Sequence, residues 1–85
     1  MPTVVLYRQS GCASCGPVER YLVEHGVAFT AKDIDADPTA LAEFMAYGYL
    51  TTPLVVIDGT PVPGWQPKRL AALLSLPADA RQRGA

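Results

Sequence analysis

Apolar positions along this chain fall into short continuous runs and helical stripes, separated by turn residues. Val4-Val5-Leu6-Tyr7 is continuous, with β-branched and aromatic members, and predicts a strand over Thr3 to Gln9. After the polar turn Ser10-Gly11, Val18, Tyr21 and Leu22 form one stripe, with His25 at its end, while Glu19, Arg20 and Glu24 lie towards the other side. A helix from about Cys12–Cys15 to His25 follows, with Gly26 suited to end it in a left-handed conformation. Val27 to Ile34 alternates and reads as a second, less apolar strand at an edge. Asp37-Pro38 opens another helix: the carboxylate can cap free N–H groups, and proline suits the first helical position. Leu41, Phe44, Met45 and Gly48 recur there at helical spacing and are expected to be core. Leu54-Val55-Val56-Ile57 is the most apolar run and should be a central strand. The turn Asp58-Gly59 leads to a Pro-broken edge strand, Thr60-Pro61-Val62-Pro63. A last helix is predicted from Pro67 to Leu76, burying Leu70, Leu73 and Leu74 and stopped by Pro77.

The order is β-α-β-α-β-β-α, an α/β fold with helices on both faces of a four-stranded sheet. The first β-α-β should be a parallel crossover and the last two strands a hairpin. With 85 residues the chain makes one domain, expected over residues 1–77, with a flexible tail over 78–85. The apolar fraction of 49% is that of an ordinary globular protein. Seven basic and eight acidic side chains leave a net charge of −1, which offers no electrostatic footprint for nucleic acid or an anionic membrane. The N-terminal residues lack the basic start of a signal peptide, and no run approaches a membrane span, so a cytoplasmic protein is expected.

Two cysteines are too few for a secreted disulfide scaffold, yet both stand in one motif, Cys12-Ala13-Ser14-Cys15. Side chains three apart share a helix face, so the two sulfurs can close a disulfide or share a metal. A strand running into Cys-x-x-Cys at the mouth of a helix is the context of a redox centre. The alternatives are half of a zinc site or two buried structural thiols. A four-ligand zinc or iron–sulfur site would need a dimer or an external thiol, since no third cysteine exists. Arg8 could support a thiolate, or be a solvated charge at a strand end. His25 lies about three turns from Cys12, too far to act as its base, and is favourable at a helix C-terminus anyway. Tyr47 and Tyr49 read as half-buried packing.

Together these residues resemble a glutaredoxin. The resemblance rests on Cys12-Ala13-Ser14-Cys15, Gly48-Tyr49-Leu50-Thr51-Thr52-Pro53, Leu54-Val55-Val56-Ile57-Asp58-Gly59 and Gly64-Trp65, in that order, and covers about Thr3 to Leu74. It implies a thioredoxin-like fold with a mixed four-stranded sheet and three helices, and a cis Thr52-Pro53 peptide beside the cysteines. The Thr52 backbone would then pair with substrate in the manner of an added strand, with Gly64 and Trp65 beside it. Cys12, where free N–H groups and the helix dipole favour an anion, would be the nucleophile, and the more buried Cys15 the resolving thiol.

The resemblance implies no bound cofactor; electrons would come from NADPH through thioredoxin reductase, or from glutathione, and pass to protein disulfides. Gln9, Leu50 and Gly64-Trp65-Gln66-Pro67 replace the lysine, the basic or amide residue and the glycine-rich acidic motif with which glutaredoxins usually hold glutathione. Gly64-Trp65-Gln66-Pro67-Lys68-Arg69-Leu70 is instead similar to the NrdH-redoxin type, which is reduced by thioredoxin reductase and serves ribonucleotide reductase. A monomer is expected.

Overall fold

The computed structural model describes residues 2–76. Its elements are β1 (Val4–Arg8), α1 (Cys15–Glu24), β2 (Thr30–Asp33), α2 (Pro38–Ala46), β3 (Leu54–Ile57), β4 (Thr60–Pro63) and α3 (Pro67–Leu73). They build one mixed sheet in the order β2-β1-β3-β4. β1 runs parallel to β2, with Leu6 opposite Ala31, and antiparallel to β3, with Tyr7 opposite Leu54. β3 and β4 form the hairpin, with Val55 opposite Val62. Pro77, expected as a helix stop, and the expected tail from Ala78 to Ala85 lie outside the described residues.

The continuous apolar runs are explained by a sheet covered on both faces. Successive strand residues point to opposite sides. Val4 and Leu6 of β1, with Val55 and Ile57 of β3, meet Val18, Tyr21 and Leu22 of α1 and Leu70 of α3. On the other face Tyr7, Leu54 and Val56 meet Ala40 and Phe44 of α2, together with Ile34. All four residues of β3 are buried, as the most apolar run in the chain should be.

β4 occupies the expected Thr60–Pro63 at a sheet edge, whereas the other edge strand, β2, and several helix ends differ from the expectations. α1 starts at Cys15, so Cys12 stands in the turn before it. After α1, Gly26 adopts φ +67°, and the Val27 N–H donates to the Leu22 carbonyl at 2.9 Å. That left-handed cap consumes Val27, and β2 accordingly begins only at Thr30 rather than at Val27. Asp37 does cap α2, accepting from the Thr39 N–H at 3.0 Å. The expected core stripe of α2 is corrected, because Leu41 and Met45 are exposed, at 38% and 54%. The line facing the sheet runs through Ala40 and Phe44, and their C-terminal neighbours lie about 100° further round the helix. α3 ends at Leu73, earlier than Leu76, because Ser75 turns left-handed at φ +55° and the Leu76 N–H returns to the Ala71 carbonyl at 2.9 Å. Leu70 is buried and Leu74 half-buried, whereas Leu73 is exposed.

Candidate active site

Three chain segments converge because of the strand register. Tyr7 near the end of β1 faces Leu54 at the start of β3, and Leu54 faces Pro63 at the end of β4. The loop leaving β1, the residues entering β3 and those leaving β4 therefore emerge at one end of the sheet. The first carries the cysteines, the second Thr52-Pro53, the third Gly64-Trp65.

In the first segment the Cys12 N–H donates to the Gln9 carbonyl at 3.2 Å, closing a tight turn, and the Ser10 N–H donates to Asp35 Oδ2 at 3.1 Å. Hydrogen bonding from the Ser10 side chain first, and from its backbone N–H next, holds the Asp35 carboxyl below the usual carboxylate range. Cys12 and Cys15 form a disulfide, with their Cα atoms 5.5 Å apart. Their environments differ: Cys12 is half-buried in the turn, whereas Cys15, the first residue of α1, is only 6% exposed. No side chain caps α1 at Ser14, so its first-turn N–H groups remain available to an anion beside the pair.

In the second segment the Thr52-Pro53 peptide is cis and Pro53 is buried, while Thr52 is half-buried. The third is tied to it directly, since the Gly64 N–H donates to the Pro53 carbonyl at 3.0 Å. Gly64 has φ +73°, a conformation that side-chain-bearing residues rarely adopt. Trp65 is 42% exposed and packs edge-on against Tyr21 of α1, their ring centroids 5.4 Å apart. The Tyr21 hydroxyl donates to the Pro67 carbonyl at 3.3 Å, which fastens α1 to the start of α3. Leu50, just ahead of Thr51-Thr52-Pro53, is 84% exposed.

Arg8 is placed beside Cys15, but its charge is already taken. Nε donates to Asp33 Oδ1 at 2.7 Å, and Nη1 to both Glu19 carboxylate oxygens at 2.9 and 2.7 Å. The Asp33 hydrogen bond first, and the Glu19 charge next, hold its proton more tightly than usual. Arg8, Glu19, Asp33 and Cys15 line one open cleft of about 270 Å³ with Gln9, Ser10 and Gly16. Sequence reasoning missed Glu19 and Asp33. Glu19 follows Cys15 at helical spacing, a signal available in advance, whereas Asp33 faces Arg8 only through the parallel register of β1 and β2.

The remaining polar aromatics serve packing. The His25 ring lies against Tyr21, with centroids 4.1 Å apart, and its Nδ1 is 2.9 Å from the Tyr21 carbonyl oxygen. The Tyr7 hydroxyl donates to Glu43 Oε1 at 3.0 Å, and Lys32 Nζ reaches the same oxygen at 2.7 Å. Burial first, then the Glu43 carboxylate, pushes the Tyr7 phenol up to about 12. Tyr47 is exposed at 38% and Tyr49 half-buried against the α2 core. No cluster of three or more His, Cys, Asp or Glu suited to a metal ion occurs among the described residues.

A Cys-x-x-Cys disulfide at the mouth of a helix, level with a cis proline on a four-stranded sheet, defines a thiol–disulfide oxidoreductase of thioredoxin-like fold. The glutaredoxin family model matches residues 4–62, and the chain belongs to the glutaredoxin family. It is 30% identical over 70 residues to the glutaredoxin-like protein NrdH of Lactococcus lactis subsp. cremoris, a match covering 82% of this chain and 97% of that protein. The crystal structure of the thioredoxin-like protein BC3987 superposes with a TM-score of 0.80 at 33% identity, covering 84% of this chain and 99% of that one. The NrdH-redoxin of Escherichia coli shares the fold, with a TM-score of 0.76 at 23% identity over 91% of this chain and 99% of that one.

Proposed function

We propose that this chain is an NrdH-type redoxin that reduces protein disulfides through a two-cysteine cycle. The observation that carries the reading is the unequal placement of the pair, Cys12 half-buried in a turn and Cys15 buried in the first turn of α1. A thiolate attacks only from an accessible position, and free helix N–H groups favour the anion. In the cycle the Cys12 thiolate attacks one sulfur of the substrate disulfide, whose other sulfur leaves as a thiolate and takes a proton from water. Cys15 then loses its proton and attacks Cys12 Sγ, which expels the second substrate thiol. Two electrons have passed to the substrate, and the Cys12–Cys15 disulfide remains. Thr52 would offer backbone groups to an extended substrate segment, with Pro53, Gly64 and Trp65 as the walls of the groove. Arg8 would border the groove from the β1 side.

The reductant in this reading is a thioredoxin reductase fed by NADPH. Two features support it: the NrdH name of the curated relatives, and an exposed Leu50 where glutathione-binding members usually carry a basic or amide residue. Ribonucleotide reductase is the proposed recipient of electrons. A dithiol that must be regenerated in reduced form belongs in a reducing compartment, so the cytoplasm is its proposed location and a monomer its proposed state. The test is to offer the oxidised protein NADPH with thioredoxin reductase and, separately, glutathione with its reductase. The first system is expected to reduce it in seconds to minutes and the second far more slowly. Faster reduction by glutathione would overturn the assignment.

A further inference from the structure

The cleft beside the redox pair carries the opposite charge from the one Arg8 alone suggests. One guanidinium is clamped between two carboxylates, with contacts of 2.7 Å to Glu19 and 2.7 Å to Asp33, so the cluster has a net charge of −1. Glu19 stands four residues after Cys15 within α1, a spacing that brings side chains to roughly 5–6 Å between Cβ atoms. Every charged group lining that cleft belongs to the cluster: Arg8 from β1, Glu19 from α1 and Asp33 from β2. Asp35, holding the Ser10 N–H, adds a further carboxylate to the same loop. Lys68 and Arg69 belong to α3, which follows β4 at the opposite edge of the sheet from β2.

We propose that Glu19 and Asp33, by overcompensating Arg8, keep Cys15 in its thiol form and so determine which sulfur of the pair attacks. A like charge disfavours a thiolate, and so does burial; Cys15 has both, and Cys12, in the preceding turn, is less buried. The helix N–H groups pull the other way and are left to act on Cys12. Glu19 and Asp33 are positioning residues, acting through Cys15 rather than on the substrate. In the cycle Cys15 holds its proton until the mixed disulfide exists, then yields it to water in the open cleft as its sulfur bonds to Cys12. That consequence rests on the dithiol cycle proposed above; the protonation of Cys15 does not.

The test therefore reads the thiol itself. In a Cys12→Ser background Cys15 is the single thiol, and its titration is followed by the ultraviolet absorbance of the thiolate. Glu19→Gln, which keeps the shape and removes the charge, is expected to raise the Cys15 dissociation constant by roughly three- to tenfold, as is Asp33→Asn. Arg8→Gln should lower it, Glu19→Asp should leave it nearly unchanged, and added salt should shrink every difference. A purely structural clamp would not give opposite signs for Arg8 and its carboxylates. An unchanged or lowered constant in Glu19→Gln and Asp33→Asn overturns the proposal. Activity with a disulfide substrate, assayed separately, would fail alone if only the dithiol cycle is wrong.

Discussion

Tyr7 shows how one side chain serves both core and surface. Its ring is buried against Phe44, while its hydroxyl reaches the Glu43 carboxylate at the edge of α2, which Lys32 also holds. The Tyr7 phenol titrates at about 12 rather than 10.0, so the folded chain keeps this proton more tightly than the unfolded one. Stability from this group is fully present below about pH 10 and is lost as pH rises through about 12. Tyr7→Phe should therefore flatten the alkaline limb of a plot of denaturation midpoint against pH; an unaltered limb would contradict the assignment. Burial of Tyr7 was readable in the sequence as part of an apolar run. Its partners were not, because Lys32 and Glu43 come together only when β2 and α2 pack side by side. Arg8 makes the same point at the site. Its position four residues before Cys12 was plain, but the two carboxylates that take its charge are supplied by a helix turn and a strand register.

The elements followed from the chain's apolar pattern in number, order and type, and their ends were the least legible part. Caps explain this: Gly26 and Ser75 reverse the chain in left-handed conformations, and the hydrogen bonds they close remove residues from β2 and α3. In α2 the apolar period identified a helix but not which line of it faces the sheet. Two overlapping stripes, Ala40–Phe44 and Leu41–Met45, fit the same spacing, and only packing on Tyr7, Leu54 and Val56 chooses the first. Substitution should separate them. Phe44→Ala removes a ring that is 2% exposed and is expected to cost about 3–5 kcal/mol in equilibrium unfolding. Met45→Ala, at a site 54% exposed, should stay within about 0.5 kcal/mol. Comparable losses at both positions would mean that the helix faces the sheet differently.

For the whole molecule, the site is a consequence of topology. β3 lies between β1 and β4, so the exit of β1, the entry to β3 and the exit of β4 fall at one end of the sheet, and three distant motifs meet there. Cys12 with Cys15, Thr52-Pro53 and Gly64-Trp65 were each visible in the sequence. Their order and spacing together supported the glutaredoxin resemblance, and the Gly64–Pro53 hydrogen bond joins the last two. What the linear chain concealed is the meeting of Arg8 from β1, Glu19 from α1 and Asp33 from β2 in the cleft beside Cys15, which the parallel register of β1 and β2 completes. The division of labour between the sulfurs is tested most directly by trapping. Each single-cysteine variant, prepared reduced, is mixed with a protein disulfide substrate and the products are weighed by mass spectrometry. With Cys15→Ser a one-to-one mixed disulfide through Cys12 should accumulate, whereas Cys12→Ser should form little adduct and reduce no substrate. Accumulation with Cys12→Ser, and none with Cys15→Ser, would contradict the account.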